Sequence, residues 1–171
     1  MQTEYLHAYW RMPYIKEPKK QPDSKRRNPF LSLADSNDHK ADLLIYKSPS
    51  SFIVMNKFPY NAGHLLVLPR REVGDIEDLN SKEYLDLNET VRKAKKLLRL
   101  ALQPNGFNIG YNLGSAAGAG IPQHLHCHIV PRWDGDTNLM PVIGNTKVLP
   151  EAMEVMWEKL RSFVHEIEDQ S

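Results

Sequence analysis

Apolar and polar positions form short alternating stretches in the first third of the chain and then change to steps of three and four. Leu43 to Lys47 and Ser51 to Lys57 are short, rich in β-branched and aromatic residues, and divided by turn chemistry around Pro49, which predicts a β-hairpin. Tyr60-Asn61-Ala62-Gly63 reads as a turn, and His64 to Leu68 as a third strand closed by Pro69. Asn80 to Leu102 reads as a helix. Tyr84, Leu87, Val91, Ala94, Leu98 and Ala101 make one stripe, and Lys82, Glu89, Arg92, Lys93, Lys96 and Arg99 make the opposite face. Asn80 with Glu83 forms a capping box, and Pro104-Asn105-Gly106 ends the helix. Phe107 to Leu113 alternates as a fourth strand and His124 to Val130 as a fifth. Pro150 to Ile167 is a second helix, with Pro150 in its first turn and Met153, Met156, Trp157, Leu160 and Val164 on one side.

The strands run consecutively before and after the long helix, without β-α-β alternation. The expected fold is therefore α+β: a mainly antiparallel five-stranded sheet with one long helix and a C-terminal helix. Residues 1–40 read as an N-terminal arm with a basic linker, KEPKKQPDSKRR at Lys16 to Arg27, and residues 41–171 as a single domain.

Composition narrows the function classes. At 171 residues the chain suits one compact domain. A net charge of +1 argues against a nucleic-acid partner, where a clearly basic domain is expected. The longest purely apolar runs, such as Leu65 to Leu68, are far short of a membrane span. Residues Met1 to Trp10 lack the apolar core of a signal peptide, and a single cysteine, Cys127, excludes an internal disulfide. The expected setting is a reducing cytoplasm.

Three of the seven histidines fall within five residues, in the run QHLHCHIVPRW at Gln123 to Trp133. On a strand, His124, His126 and His128 share one face, about 6.5–7 Å apart, while Leu125, Cys127 and Ile129 enter the core. Three imidazoles can hold a zinc ion with an open position. They can also carry nucleophilic catalysis on phosphorus, because an imidazole attacks when neutral and donates when charged. The run just upstream, NLGSAAGAG at Asn112 to Gly120, favours the second reading. Its small residues let backbone N–H groups approach an anion.

With these residues in place, the sequence resembles the histidine triad family. That family's signature is His-φ-His-φ-His-φ-φ, with φ apolar, and His124 to Val130 fits it at every position. Phe52 to Asn56 followed by His64 to Val67 is similar to the family's first nucleotide-contacting strands. The block Gly106 to Pro150 looks like its diadenosine tetraphosphate phosphorylase branch. The resemblance implies that His126 attacks the α-phosphorus to give a covalent nucleotidyl-histidine. It implies that His128 bonds the phosphate and the bridging oxygen, and that His124 orients the row with His64 as partner. It further implies that Asn112 contacts phosphate oxygens, Asn56 the ribose hydroxyls, and the loop of Gly114, Gly118 and Gly120 the transferring phosphate. Phe52 and Val54 either flank the base or pack in the core.

Two positions depart from the family pattern. Ile121 stands where many members carry a hydroxyl, and Gln123 stands where the phosphorylase branch has an acidic residue. Gln123 would therefore bear on the acceptor. The implied substrate is an adenine nucleotide or dinucleoside polyphosphate, with phosphate or water as acceptor. No cofactor or resident metal is required, although a divalent cation can accompany the substrate's phosphates. The implied assembly is a homodimer. The competing readings are a nucleoside phosphoramidate or aminoadenylate hydrolase of the same family, a nucleotide-binding module, and a zinc hydrolase.

Overall fold

The computed structural model describes residues 28–136 and 151–168. Among these residues there are five strands: β1 (Leu44–Lys47), β2 (Ser51–Met55), β3 (Leu65–Pro69), β4 (Gly106–Tyr111) and β5 (Cys127–Arg132). They form one sheet in the order β1-β2-β3-β5-β4, with every neighbouring pair antiparallel. Among the described residues three α-helices accompany them: α1 (Pro29–Ala34), the long α2 (Ser81–Leu102) and α3 (Met153–Ser162). The fold is α+β as expected.

Side-chain alternation divides the sheet into two apolar faces. Ile53, Met55, Leu65, Val67, Cys127 and Ile129 face α2 and α3, where Leu87, Ala94, Leu97, Leu98, Met156 and Leu160 complete the main core. Phe52, Val54, Leu66 and Leu68 face the other way and meet Ala34, Phe30 and Leu33 of α1. Burial of Phe52 and Val54 in this second cluster accounts for their apolar character.

The long helix begins as its sequence requires. The Asn80 side chain accepts from Lys82 N–H and Glu83 N–H, and Glu83 reaches back to Asn80 N–H. The stripe differs in two places. Tyr84 is 46% exposed, whereas Lys93, placed by its charge on the solvent face, is buried. Its stem lies in the core face and its ammonium reaches Tyr46 Oη at 3.1 Å. A second polar contact anchors the N-terminal half of α2. Asp86 Oδ2 accepts from Ser48 Oγ and Ser51 Oγ, each at 2.6 Å, and from Ser50 N–H at 3.2 Å, closing the β1–β2 turn.

Several boundaries move, among them the end of the second strand, at Met55, and of the fourth, at Tyr111. The fifth strand starts at Cys127, so His124 and His126 lie in the approach to it. Pro150 lies outside the described residues, and α3 begins at Met153 and gives way to a 3-10 turn at Val164–Glu166. The segment read as an arm contains α1, which packs on the sheet because Phe30, Leu33 and Ala34 cover apolar surface there. The basic segment at 16–27 is outside the described residues.

The connection into β3 is tight. Gly63 has φ +71°, a conformation that favours glycine, and a Cβ there would lie 2.4 Å from Leu102 Cδ1, so the Leu102 side chain would have to shift. The turn it completes delivers His64 to the α1 side of the sheet.

Candidate active site

His124, His126 and His128 lie on the α1 side, on and just before β5, which runs between β3 and the outer strand β4. His124 is fully buried, His126 is buried and His128 is half-buried. The rings of His126 and His128 are 5.0 Å apart, edge to face, nearer than an extended strand alone would set them. Leu125, Cys127 and Ile129 turn into the main core. Burial pushes the Cys127 thiol up to about 11, with Tyr111 and Gly110 only partly offsetting it, so Cys127 is not a nucleophile.

The ring protons follow from the partners, since a carbonyl only accepts and an amide N–H only donates. His126 Nδ1 is 2.8 Å from the main-chain oxygen of His124, so in the neutral ring Nδ1 carries the proton and Nε2 the lone pair. His64 Nδ1 accepts from Tyr60 N–H at 3.0 Å, so its proton is on Nε2, which donates to His128 Nδ1 at 3.0 Å. His128 is then protonated on Nε2. That atom is buried with no hydrogen-bond partner among the described residues. Burial, aided by the neighbouring His126, lowers its pKa to about 4, so the ring is neutral at pH 7. The site thus sets an imidazole lone pair beside an unoccupied N–H donor.

His64 was expected beside His124 but stands against His128. His124 is held instead by Asn28 Nδ2 at Nδ1 and by the Pro69 carbonyl at Nε2, each at 2.8 Å. Burial lowers its pKa, and the Pro69 bond opposes that only in part. The rings face separate partners, and among the described residues no three His, Cys, Asp or Glu side chains form a metal-binding group.

A sequence model of the HIT domain matches residues 37–135, more than half of the chain. The chain belongs to the HIT family. It is similar to an AP-4-A phosphorylase of Mycobacterium tuberculosis, at 37% identity over 89% of this chain and 80% of that protein. It is also similar to the asymmetrical bis(5'-nucleosyl)-tetraphosphatase of Schizosaccharomyces pombe, at 36% identity over 54% of this chain and 50% of that protein. Among solved structures, a hypothetical histidine triad nucleotide-binding protein from Sulfolobus tokodaii superposes with a TM-score of 0.66. That match has 22% identity and covers 81% of this chain and 92% of that one.

In this HIT domain a cavity of about 400 Å³ opens between α1 and the sheet. Phe30, Leu33, Leu43, Val54, Leu66 and Ile121 supply apolar wall, and Asn56 stands in its lining. Val54 contributes to this wall as well as to the packing beneath it. Ile121, in the place of a hydroxyl residue, adds to the apolar surface. Asn56 Oδ1 accepts from Phe58 N–H at 2.9 Å, and Nδ2 lies 3.2 Å from His64 Nδ1.

A second groove, about 270 Å³, lies beyond His128 and includes Asn112, Tyr60 and Tyr111. Gln123 and the three loop glycines are exposed, and Gly114 and Gly118 have positive φ. The loop differs from an open cradle: the N–H groups of Ala117, Gly118 and Ala119 are bonded within its own turns. Arg70, Arg71 and Arg132 pair with Asp35, Glu83 and Asp136.

Three residues at the site were not singled out from sequence. Asn28 and Phe30 come from the segment before the sheet, and the Phe30 ring lies 5.5 Å from that of His124 and 5.6 Å from that of His126. Asn28-Pro29 ahead of an apolar run is a helix start that could have marked them. Tyr60 stacks on His128, with centroids 5.4 Å apart and planes 21° apart. Nothing in the turn around it signals that role.

Proposed function

We propose that this HIT protein cleaves dinucleoside polyphosphates by nucleotidyl transfer through His126, with inorganic phosphate as acceptor. The observation that carries this is the pairing of the His126 Nε2 lone pair with the unpartnered N–H of His128. His126 Nε2 attacks the α-phosphorus, an N–P bond forms, and the bond to the bridging oxygen breaks. His128 Nε2–H donates to that oxygen as negative charge gathers on it. The leaving nucleotide departs with the bond's electron pair. An oxygen of phosphate then attacks the same phosphorus, the N–P bond breaks, and His126 recovers its lone pair. Diadenosine tetraphosphate and phosphate give ADP and ATP by this route, while water in place of phosphate gives AMP and ATP. The similarity to the mycobacterial phosphorylase supports phosphate as acceptor.

The 400 Å³ cavity has the size and apolar lining of a nucleoside site, and Asn56 in its lining suits the ribose hydroxyls. Asn112 shares the second groove with His128 and suits the phosphate chain. In this reading the loop glycines serve the transferring phosphate and Gln123 bears on the incoming acceptor. A divalent cation would travel with the substrate's phosphates and needs no protein site of its own. A second copy of the chain is the proposed partner along β4, an outer strand of the sheet with Ile109 45% exposed. Among the described residues no helix is long and apolar enough to cross a membrane.

The deciding experiment incubates diadenosine tetraphosphate with and without phosphate and separates the nucleotides. ADP that depends on phosphate supports the reading, and AMP with ATP but no ADP in the presence of phosphate rejects phosphate as acceptor. His126→Ala is expected to lower turnover by at least about 10⁴-fold. Equal turnover in that variant removes the covalent route.

A further inference from the structure

We propose that Asn28 is a positioning residue for the nucleophile, fixing the His124 ring with Glu72 so that the His124 carbonyl holds His126. The proposal rests on the nucleotidyl-transfer reading and extends it to a residue outside the triad.

The geometry is a chain of directed hydrogen bonds. Asn28 Oδ1 accepts from Phe30 N–H at 3.0 Å, which fixes the orientation of the amide. Asn28 Nδ2 then donates to Glu72 Oε1 and to His124 Nδ1, both at 2.8 Å. A carboxylate can only accept, so the partner at Glu72 agrees with the orientation set by Phe30. With Nδ1 accepting, His124 carries its proton on Nε2 and donates it to the Pro69 carbonyl. Both ring nitrogens are thereby engaged, and the ring bridges the end of β3 to the segment before α1. The main-chain oxygen of this immobilised residue takes the Nδ1 proton of His126. That bond keeps the lone pair on Nε2, where attack occurs.

Asn28 is buried, and Phe30, two residues on, covers the rings of both His124 and His126. The amide serves two ends at once, since its oxygen caps α1 and its nitrogen directs the triad. An apolar residue here would leave His124 Nδ1 buried without a donor. An aspartate would keep the cap but offer an acceptor where the ring needs a proton.

The test uses the full chain and Asn28→Asp, in which the retained oxygen preserves the cap. Long-range ¹H–¹⁵N spectra report which imidazole nitrogens are protonated. The wild type is expected to carry the His124 proton on Nε2 alone. In N28D combined with Glu72→Gln, which removes the carboxylate that would otherwise face the new one at 2.8 Å, both nitrogens are expected to be protonated at neutral pH. For diadenosine tetraphosphate with phosphate, kcat is expected to fall by about 10- to 100-fold through misplacement of His126. KM is expected to stay within about twofold, because nothing that binds the nucleotide has changed.

Glu72→Ala, at an exposed residue, tests the same chain with less risk to folding. It is expected to lower kcat in the same direction by about threefold or more as the amide loosens. Wild-type ring protonation and wild-type kcat in both variants would overturn the proposal. So would a rise in KM with kcat unchanged. A wild type that fails to cleave the dinucleotide rejects the catalytic reading, while the spectra still decide whether Asn28 sets the His124 tautomer.

Discussion

His64 Nε2 stands 3.0 Å from His128 Nδ1, so the last histidine of the triad takes its tautomer from a residue 64 positions earlier. The donor is itself fixed, because Tyr60 N–H occupies His64 Nδ1. Removing it frees His128 to move its proton to Nδ1, which would turn a lone pair rather than N–H toward the leaving oxygen. His64→Leu is therefore expected to lower kcat by about a hundredfold or more. His64→Gln, which keeps a donor near His128, is expected to retain more activity. Steady-state kinetics on the two variants checks the order, and equal losses contradict it.

Acid should destabilise the fold through the same residues. An unfolded histidine takes up its proton near 6.5, whereas folded His128 resists until about 4. Between those values the unfolded chain binds more protons. Stability is thus undiminished above 6.5 and falls as pH drops toward 4. His124, held low mainly by its burial, acts in the same sense. Urea midpoints measured from about pH 8 to pH 4 should decline on the acid side, and His128→Asn should flatten the decline. A wild-type midpoint that rises on acidification contradicts the assignment.

Asp86 ties the first turn of the sheet to α2. Burial pushes its pKa up, but hydrogen bonds from Ser48, Ser51 and Ser50 outweigh this and hold the carboxyl below its ordinary value. Asp86→Ala leaves three donors without that acceptor and is expected to cost about 2–3 kcal/mol in urea unfolding. Because the pKa is depressed, the wild-type advantage should be full at neutral pH and shrink as pH falls through the folded value.

Gly63→Ala combines a positive φ with a Cβ driven into Leu102. The expected loss is about 2 kcal/mol or more. Adding Leu102→Ala relieves the clash but not the backbone, so a double-mutant cycle should recover only part of it.

Much of this was legible in the sequence, and the exceptions share a cause. The capping box at Asn80 and Glu83, the helix end at Leu102 and the alternation that sends Cys127 inward are local properties, set within a few residues of where they are read. The histidine spacing likewise brought the three rings to one side. The partners of those rings were not readable, because His64, Asn28 and Pro69 approach from strands and turns whose pairing is tertiary. Lys93 misled for a related reason: its charge marks a solvent face, yet its burial depends on Tyr46 across the core. The loop from Asn112 to Gly120 had the composition of an open cradle, but small residues also permit the tight internal turns that it makes.

Cys127 sits in the middle of the histidine motif with its sulfur sealed beneath the sheet and its thiol pushed up to about 11. Alkylating agents and mild oxidants need an exposed thiolate, and this chain offers no other sulfhydryl. Iodoacetamide at neutral pH should leave turnover intact and modify the protein only once it unfolds. The residue therefore serves as a built-in reporter of folding, readable by mass in the same sample in which activity is measured.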